Sequence, residues 1–253
     1  MKASISRRNL LAGEAVGAGG LLSGCDVLNK NQSFREVLKS AESANLVVHR
    51  SLGDRLTLAR EYTEADLSPS FRGNGNRGIE TSAYKAMVES NFVDWRLAVR
   101  GLVNSPLNLS LAQLRAMPQR TQITRHDCVE GWSAIGKWTG VPLKLLLDQA
   151  GLQKNAKYLV FRCADMFGKT PYYESIDLID AYHPQTIIAH RLNGEELPIK
   201  NGAPLRLRVE RQLGYKHAKF VEAIEAVDTL EDIGRGKGGY WEDSNNYEWY
   251  AGI

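Results

Sequence analysis

One segment of this 253-residue chain concentrates side chains able to do chemistry: Arg125-His126-Asp127-Cys128-Val129-Glu130-Gly131-Trp132-Ser133. It places a single thiol in a polar, glycine-bearing turn directly after a strand-like run. Arg125 and His126 sit beside that thiol, and neighbouring cations favour the thiolate, the form that binds soft or redox-active metals. By residue type alone, a structural thiol and a metal ligand remain equally good readings. The cysteine count adds a constraint. Cys25, Cys128 and Cys163 are three, so they cannot all pair with one another, and at least one is free, modified or a ligand.

Other candidate motifs lose force on inspection. Gly131 to Lys137 satisfies the first seven positions of a phosphate-binding loop, but Trp138 stands where the magnesium-binding hydroxyl belongs. Gly140-Val141-Pro142 also prevents a helix from following at once. The run Gly234-Arg235-Gly236-Lys237-Gly238-Gly239 has no strand before it and no helix after it, so it is expected to be a mobile connection. The five histidines form no H-x-x-x-H or H-E-x-x-H pair, and Cys128 and Cys163 lie far from C-x-x-C spacing. There is no G-x-S-x-G elbow. A net charge of +3 gives no electrostatic case for nucleic acid as the partner.

The elements that must position these residues read as α+β. A short helix is expected at Phe34–Ala44 and a strand at Asn45–His49. Ser68 to Gly78 is a glycine-rich loop. Trp95–Arg100 alternates apolar and basic residues as a half-buried strand does. Ser110 caps a short helix that ends before Pro118. Thr121–Arg125 is a further strand. Pro142 at a first helical position opens the helix Leu143–Ala150, which Gly151 closes. Strands follow at Lys157–Cys163, Thr186–Leu192, Pro204–Glu210 and Phe220–Val227. Asn193-Gly194 is a hairpin-turn signal.

The N-terminus reads as an address. Arg7-Arg8 precedes a weakly apolar run from Leu10 to Leu22, too short to span a bilayer. The arginine pair resembles a twin-arginine export signal, and Leu22-Ser23-Gly24-Cys25 resembles a lipobox, in which the cysteine becomes the lipidated first residue. Asp26 resembles the signal for retention at the inner membrane. The expected organisation is a signal at 1–25, a tether with a short helix at 26–53 and one domain at 54–253 that ends in an aromatic tail. Most of the net positive charge belongs to the leader.

The wider pattern resembles the molybdenum-containing sulfite-oxidase fold family, and more closely its bacterial branch of periplasmic methionine-sulfoxide-reductase-like catalytic subunits. The resemblance covers roughly residues 55–230. It rests on five segments in order: Cys128-Val-Glu-Gly-Trp-Ser133, Trp138-Thr-Gly-Val-Pro-Leu-Lys-Leu-Leu-Leu147, Leu192-Asn-Gly-Glu-Glu-Leu-Pro198, Asn201-Gly-Ala-Pro-Leu-Arg-Leu207 and Gly214-Tyr-Lys-His-Ala-Lys219.

The resemblance implies a sulfite-oxidase-type fold with mixed sheets and short helices, and a molybdenum-molybdopterin cofactor. Cys128 matches the cysteine that binds molybdenum. Asn74 matches a pterin contact, Asn201 and Arg206 match pterin and phosphate contacts, and His217-Ala218-Lys219 matches a segment that wraps the phosphate. Forked donors on Arg206 and a point charge on Lys219 suit a dianion. Arg72 looks like the arginine near the substrate anion of sulfite oxidases. Cys163 stands where the related reductases carry Thr, and reads as a buried thiol or as a cofactor-lining residue. Arg72, Arg125 and Glu130 are expected to position substrate oxygen or a proton, although Glu130 could equally pair with Arg125.

The implied activity is oxygen-atom transfer on a small oxo substrate, with S-oxide reduction favoured. The alternatives are sulfite-dehydrogenase-type oxidation and a non-catalytic ligand-binding lipoprotein. Without a C-x-x-C-H haem motif, electrons are expected to pass to or from a membrane b-type cytochrome. The residues after the resemblance are too few for the immunoglobulin-like dimerisation domain of sulfite oxidases, so a monomer is expected. The location implied is periplasmic, at the inner membrane through a lipid on Cys25. The aromatic tail, Tyr240 to Tyr250, either packs back over the domain or offers a docking face.

Overall fold

The computed structural model describes residues 31–52 and 55–253, so the expected export signal and Cys25 lie outside the described residues. The chain divides into two units, residues 1–53 and 54–253. In the first, helix α1 (Gln32–Leu52) runs for 21 residues. It extends the expected helix and absorbs Asn45–His49, which is therefore not a strand. No Gly or Pro interrupts the segment, so nothing ends the helix where the strand was expected.

The second unit carries two sheets with short helices, as expected. Strands β1 (Arg96–Gly101), β2 (Leu107–Ser110), β5 (Tyr158–Phe167), β6 (Thr170–Asp177) and β10 (Val221–Val227) form one sheet in the order β2-β1-β10-β5-β6. Only β1 and β10 pair in parallel, which makes this sheet mixed. Strands β3 (Arg120–Asp127), β4 (Ser133–Pro142), β7 (Ile187–Leu192) and β8 (Glu195–Glu196) follow in order in the second sheet, and β9 (Arg206–Arg208) pairs with β7.

Period-two burial explains how the layers join. In β1, Leu97 and Val99 point into the core while Arg96 and Arg100 are exposed. In β7, Ile188 enters the main core, whereas Ile187 and Ala189 join a second cluster with Trp138 and Phe71. The second sheet is thus covered on both faces.

Five helices complete the unit: α2 (Ser82–Glu89), α3 (Leu111–Ala116), α4 (Leu143–Ala150), α5 (Leu178–Ala181) and α6 (Tyr240–Asn245). Helix α4 buries Leu143, Leu146, Leu147 and Ala150, one stripe at helical spacing. Gly151 closes it at φ 67°, and Pro142 proves to be its cap rather than its first residue. Ser110 caps α3 in a reciprocal box with Gln113. Asn193 and Gly194, at φ 55° and 89°, turn β7 into β8. The segment 131–137 that imitates a phosphate-binding loop is a turn followed by strand β4. Its Gly140 is required by contact, because a Cβ there would overlap the Ile188 carbonyl oxygen. No described helix is long and apolar enough to cross a membrane.

Candidate cofactor cleft

Strand β3 ends at Asp127 and delivers Cys128 to a tight turn. Cys128 N–H donates to Trp132 O at 2.9 Å, Gly131 N–H donates to Cys128 O at 3.0 Å, and Gly131 takes φ 84°. The thiol faces a cleft that encloses about 640 Å³, its open mouth included. Loop residues Asn74 and Asn76 form one side. The β5–β6 hairpin brings Asp165, Phe167 and Tyr172. The segment after β9 brings Tyr215, His217 and Lys219, and the C-terminal tail adds Trp241 and Tyr247.

The parts are tied together by hydrogen bonds. Asn74 Nδ2 lies 3.9 Å from Cys128 Sγ, donor to sulfur. Lys219 Nζ donates to the carbonyl oxygens of Asn74 and Asn76, clamping the loop to the segment after β9. Asn201 Nδ2 donates to Arg72 O at 3.2 Å, and Arg206 Nη1 donates to Asn201 O at 3.2 Å. Gly214 is needed where the chain passes His126, because a Cβ would come within 2.5 Å of the imidazole.

Burial sets the electrostatics. Arg206 has no exposed surface and lies over Trp138 at 5.4 Å. Desolvation, reinforced by Arg208, brings its pKa down to about 9. Lys219 is lowered to about 7 by burial and then by Arg206. His217 is pushed well below its usual value by burial, so its ring is neutral. Because His217 Nε2 meets the Gln212 carbonyl oxygen at 3.0 Å, that nitrogen carries the proton and Nδ1 is an acceptor. The Cys128 thiol is raised by burial, against the Glu130 backbone N–H, Arg206 and Asn74, which favour the thiolate, while the Glu130 carboxylate adds to the rise.

The expectation that Arg125 and His126 promote the thiolate is therefore corrected. Alternation along β3 turns Arg125 to the other face, where it pairs with Asp127 at 2.9 Å and lines a separate notch with Arg60 and Tyr62. His126 is neutral because burial lowers its pKa, and it accepts from Arg208 through Nδ1 at 3.0 Å. Glu130 does reach the cleft but does not pair with Arg125; it accepts from Trp132 Nε1 at 2.9 Å.

Of the remaining sequence candidates, Asn74, Cys128, His217 and Lys219 line the cleft. Asn201, Arg206 and Ala218 are buried behind it, Ala218 holding Leu207 N–H through its carbonyl at 2.8 Å. Arg72 is exposed and does not line the cleft. Cys163 packs in the main core, where burial raises its pKa well above the usual value.

Sequence reasoning missed Asp165, Tyr172 and Tyr215, and although it offered a tail packed back over the domain, it did not place Trp241 and Tyr247 in the cleft wall. The available signal for Asp165 was a carboxylate inside the otherwise apolar run of β5. The tail packs back: Phe167, Trp241, Tyr247 and Tyr215 form a chain of ring contacts, with successive centroids 5.1, 6.0 and 5.0 Å apart. The glycine-rich run before it is ordered rather than a bare connection. Arg235 N–H and Lys237 N–H donate to the Asp243 carboxylate at 2.7 and 3.1 Å, which positive φ at Gly234, Gly236 and Gly238 permits. Behind the wall, Lys216 Nζ bridges Glu174 and Glu242 at 2.5 and 2.7 Å with no exposed side chain among the three.

A family model described as the oxidoreductase molybdopterin-binding domain matches residues 84–232. The chain belongs to the molybdopterin-binding oxidoreductase family. It is 38% identical over 237 residues to a putative protein-methionine-sulfoxide reductase subunit YedZ1 of Azospira oryzae, covering 94% of this chain and 84% of the relative. It is 38% identical over 147 residues to the protein-methionine-sulfoxide reductase catalytic subunit MsrP of Gluconobacter oxydans, covering 53% of this chain and 47% of the relative. For MsrP of Xanthomonas campestris the values are 36% over 186 residues, 69% of this chain and 58% of the relative. The chain thus spans about half the length of these two MsrP relatives. Among solved structures, the sulfane dehydrogenase SoxCD of Paracoccus pantotrophus aligns with TM-score 0.49 and 26% identity over 54% of this chain and 39% of that one.

The cofactor of this family is molybdenum-molybdopterin, and the residues present fit it. Buried polar atoms without a partner include acceptors Asn74 Oδ1, Asp165 Oδ1 and His217 Nδ1 on residues that line the cleft, and donors Nε and Nη2 of Arg206 with acceptor Asn201 Oδ1 on residues buried behind it. Leaving such atoms unpaired is costly. A pterin carrying ring N–H groups and an anionic phosphate supplies both complements, and a thiol at the same cleft suits molybdenum.

Proposed function

We propose that this molybdopterin-dependent oxidoreductase reduces neutral S-oxides, with methionine sulfoxide as the substrate class. One observation carries the choice over sulfite: Lys219 is the sole cation among the described residues lining the cleft, and it is already engaged by two backbone carbonyls. The rest of the wall is aromatic and neutral or acidic, which suits a sulfoxide with its apolar substituents and disfavours a small dianion. The names of the relatives support the same direction.

In this reading Cys128 holds molybdenum as a thiolate, oriented by Asn74 Nδ2. When bound, the group supplies two-electron oxygen-atom-transfer chemistry. The protein binds, orients and handles protons. Reduction of a sulfoxide to its thioether breaks the sulfur–oxygen bond, consumes two electrons and two protons, and releases water. Glu130, fixed by the Trp132 indole at the cleft, delivers a proton through its carboxyl oxygen. Phe167, Trp241 and Tyr247 hold the apolar part of the substrate and narrow the access of water. Arg206 holds the anionic end of the cofactor, with Asn201 beside it, while Lys219 keeps the Asn74–Asn76 loop clamped against the cleft.

Electrons come from a separate redox protein, a membrane b-type cytochrome, because the sequence carries no haem-attachment motif. The arginine pair at 7–8 and the lipobox-like Leu22 to Cys25 support export to the periplasm and a lipid anchor on Cys25. The enzyme works as one domain over 54–253.

The test is a substrate panel on cofactor-loaded protein. Free and peptide-bound methionine sulfoxide and dimethyl sulfoxide are offered with a reduced dye, and sulfite with an oxidised acceptor. S-oxide-dependent dye oxidation supports the proposal; sulfite turnover without S-oxide turnover overturns it.

A further inference from the structure

We propose that helix α1 is a membrane-surface element, whose apolar face lies in the headgroup region of a phospholipid bilayer and holds the enzyme at the membrane plane. The choice of occupant rests in part on the lipid anchor proposed for Cys25.

The helix itself carries the first observation. At 3.6 residues per turn, Phe34, Val37, Leu38, Ala41, Val48 and Leu52 fall within one arc of roughly 100°. Asn45 is the one polar residue in that arc, and every charged residue of the helix, acidic or basic, falls outside it. The arc is open to solvent: Val37 and Val48 are 64% and 48% exposed, and Ala41 is exposed as well. Among the described residues of its unit, α1 is the only element. A lone helix in water gains little stability until its apolar face is covered. The same helix is too polar to cross a membrane. An apolar stripe on a helix that cannot span is the pattern that lies along an interface.

The position of the helix in the chain selects a bilayer as the cover. Gln32 follows Cys25 by seven residues, a reach of at most about 25 Å. A lipid on Cys25 therefore keeps the first turn of α1 within that distance of the bilayer, where the effective concentration of membrane surface is high and a weak intrinsic affinity is enough. A second copy of the chain suits the face less well. The core positions of a coiled coil would be Phe34, Val37, Ala41, Ala44, Val48 and Ser51, and the small side chains at three of them fill the facing holes poorly. A fluid headgroup region makes no such demand on shape, and it also accepts Leu38 and Leu52, which a two-stranded seam leaves at its margin. The consequence for the reaction is that the catalytic unit stays next to the plane in which a membrane electron donor moves.

The test uses mature, cofactor-loaded protein on vesicles of phosphatidylethanolamine and phosphatidylglycerol, with the mass of the chain reporting the lipid on Cys25. A fluorophore is attached to an introduced thiol, Ala41→Cys on the arc or Ser40→Cys off it, both exposed positions, while Cys128 and Cys163 are buried. Brominated lipid is expected to quench the label at 41 at least about fivefold more than the label at 40, and aqueous iodide to show the reverse order. Val37→Glu combined with Val48→Glu is expected to abolish the difference while dye-linked turnover stays at the wild-type level.

Equal quenching at the two positions overturns the inference. So does a label at 41 shielded from both quenchers in a dimeric protein, which gives the face to a second copy. Shielding that appears only in native membranes also overturns it and gives the face to a membrane protein. A mature chain without lipid that shows the expected quenching order upholds the inference and overturns only the anchor on Cys25.

Discussion

Replacing Arg206 by Met is expected to make the cofactor-free protein more stable and the cofactor-loaded protein less able to keep its cofactor. In the free cleft the guanidinium has no exposed surface, and burial brings its pKa down from the usual guanidinium range to about 9, a drop of about three and a half units. At about 1.4 kcal/mol per unit, the charged form at pH 7 carries a cost of roughly 5 kcal/mol. The sign follows from linkage: a basic group whose folded pKa is depressed binds fewer protons folded than unfolded between about pH 9 and the usual guanidinium range. The cost is therefore fully present at pH 7 and fades as pH rises through that window. Met also loses the contact over Trp138 and the hydrogen bond to Asn201 O, together worth about 2–3 kcal/mol. The net expectation is a gain of about 2 kcal/mol for the cofactor-free protein, read from urea denaturation followed by circular dichroism. Pterin retention falls in the same variant by about a hundred-fold or more, because the forked donors opposite an anion are lost. A variant that is less stable than wild type yet keeps its pterin normally would refute the reasoning and make Arg206 a structural residue.

Lys216→Met leaves Glu174 and Glu242 buried without a cation and is expected to cost about 3–5 kcal/mol, read from urea midpoints. Burial and the neighbouring Glu242 raise the Glu174 pKa, so stability in this variant is lost as pH rises, and urea midpoints from pH 5 to 8 should fall more steeply than in wild type. Gly214→Ala puts a Cβ 2.5 Å from a rigid imidazole and is expected to lower stability by about 1–3 kcal/mol, visible as a lower melting temperature. His190 is lowered to about 4 by burial and then by Arg115, against the pull of Glu196; folding therefore loses stability as pH falls from 6.5 towards 4, and His190→Gln should flatten that limb of the melting curve. Glu130→Gln is expected to lower kcat for S-oxide by about a hundred-fold with KM little changed, measured by dye oxidation.

How much of this was legible in the sequence depended on whether the signal was local. Helix α4 with Gly151, the box of Ser110 and Gln113, and the Asn193-Gly194 turn all follow from residues close in sequence. Strand β4 was hidden because Gly136, Gly140 and Pro142 weaken its strand pattern; those glycines answer to Phe71, Leu192 and Ile188, contacts that no local pattern reveals. The helix over Asn45–His49 was misread because a short apolar run fits either period.

The site divides in the same way. The cleft residues expected from the family resemblance, Asn74, Cys128, His217 and Lys219, do converge, across 145 residues between Asn74 and Lys219. Arg125 was misplaced because period two in β3 sends it away from Cys128, a consequence of register rather than of residue type. Asp165 and the Lys216 bridge carry no motif. They are recognised only once burial and missing partners are known.

The central claim is that Cys128 anchors molybdenum in this cleft. Molybdenum and pterin content per chain, in protein matured by a cofactor-making host, tests it most directly. About one of each in wild type, with molybdenum lost in Cys128→Ala while the chain stays folded, is the expected result; wild type without metal, or a Cys128→Ala variant with its full complement, contradicts it.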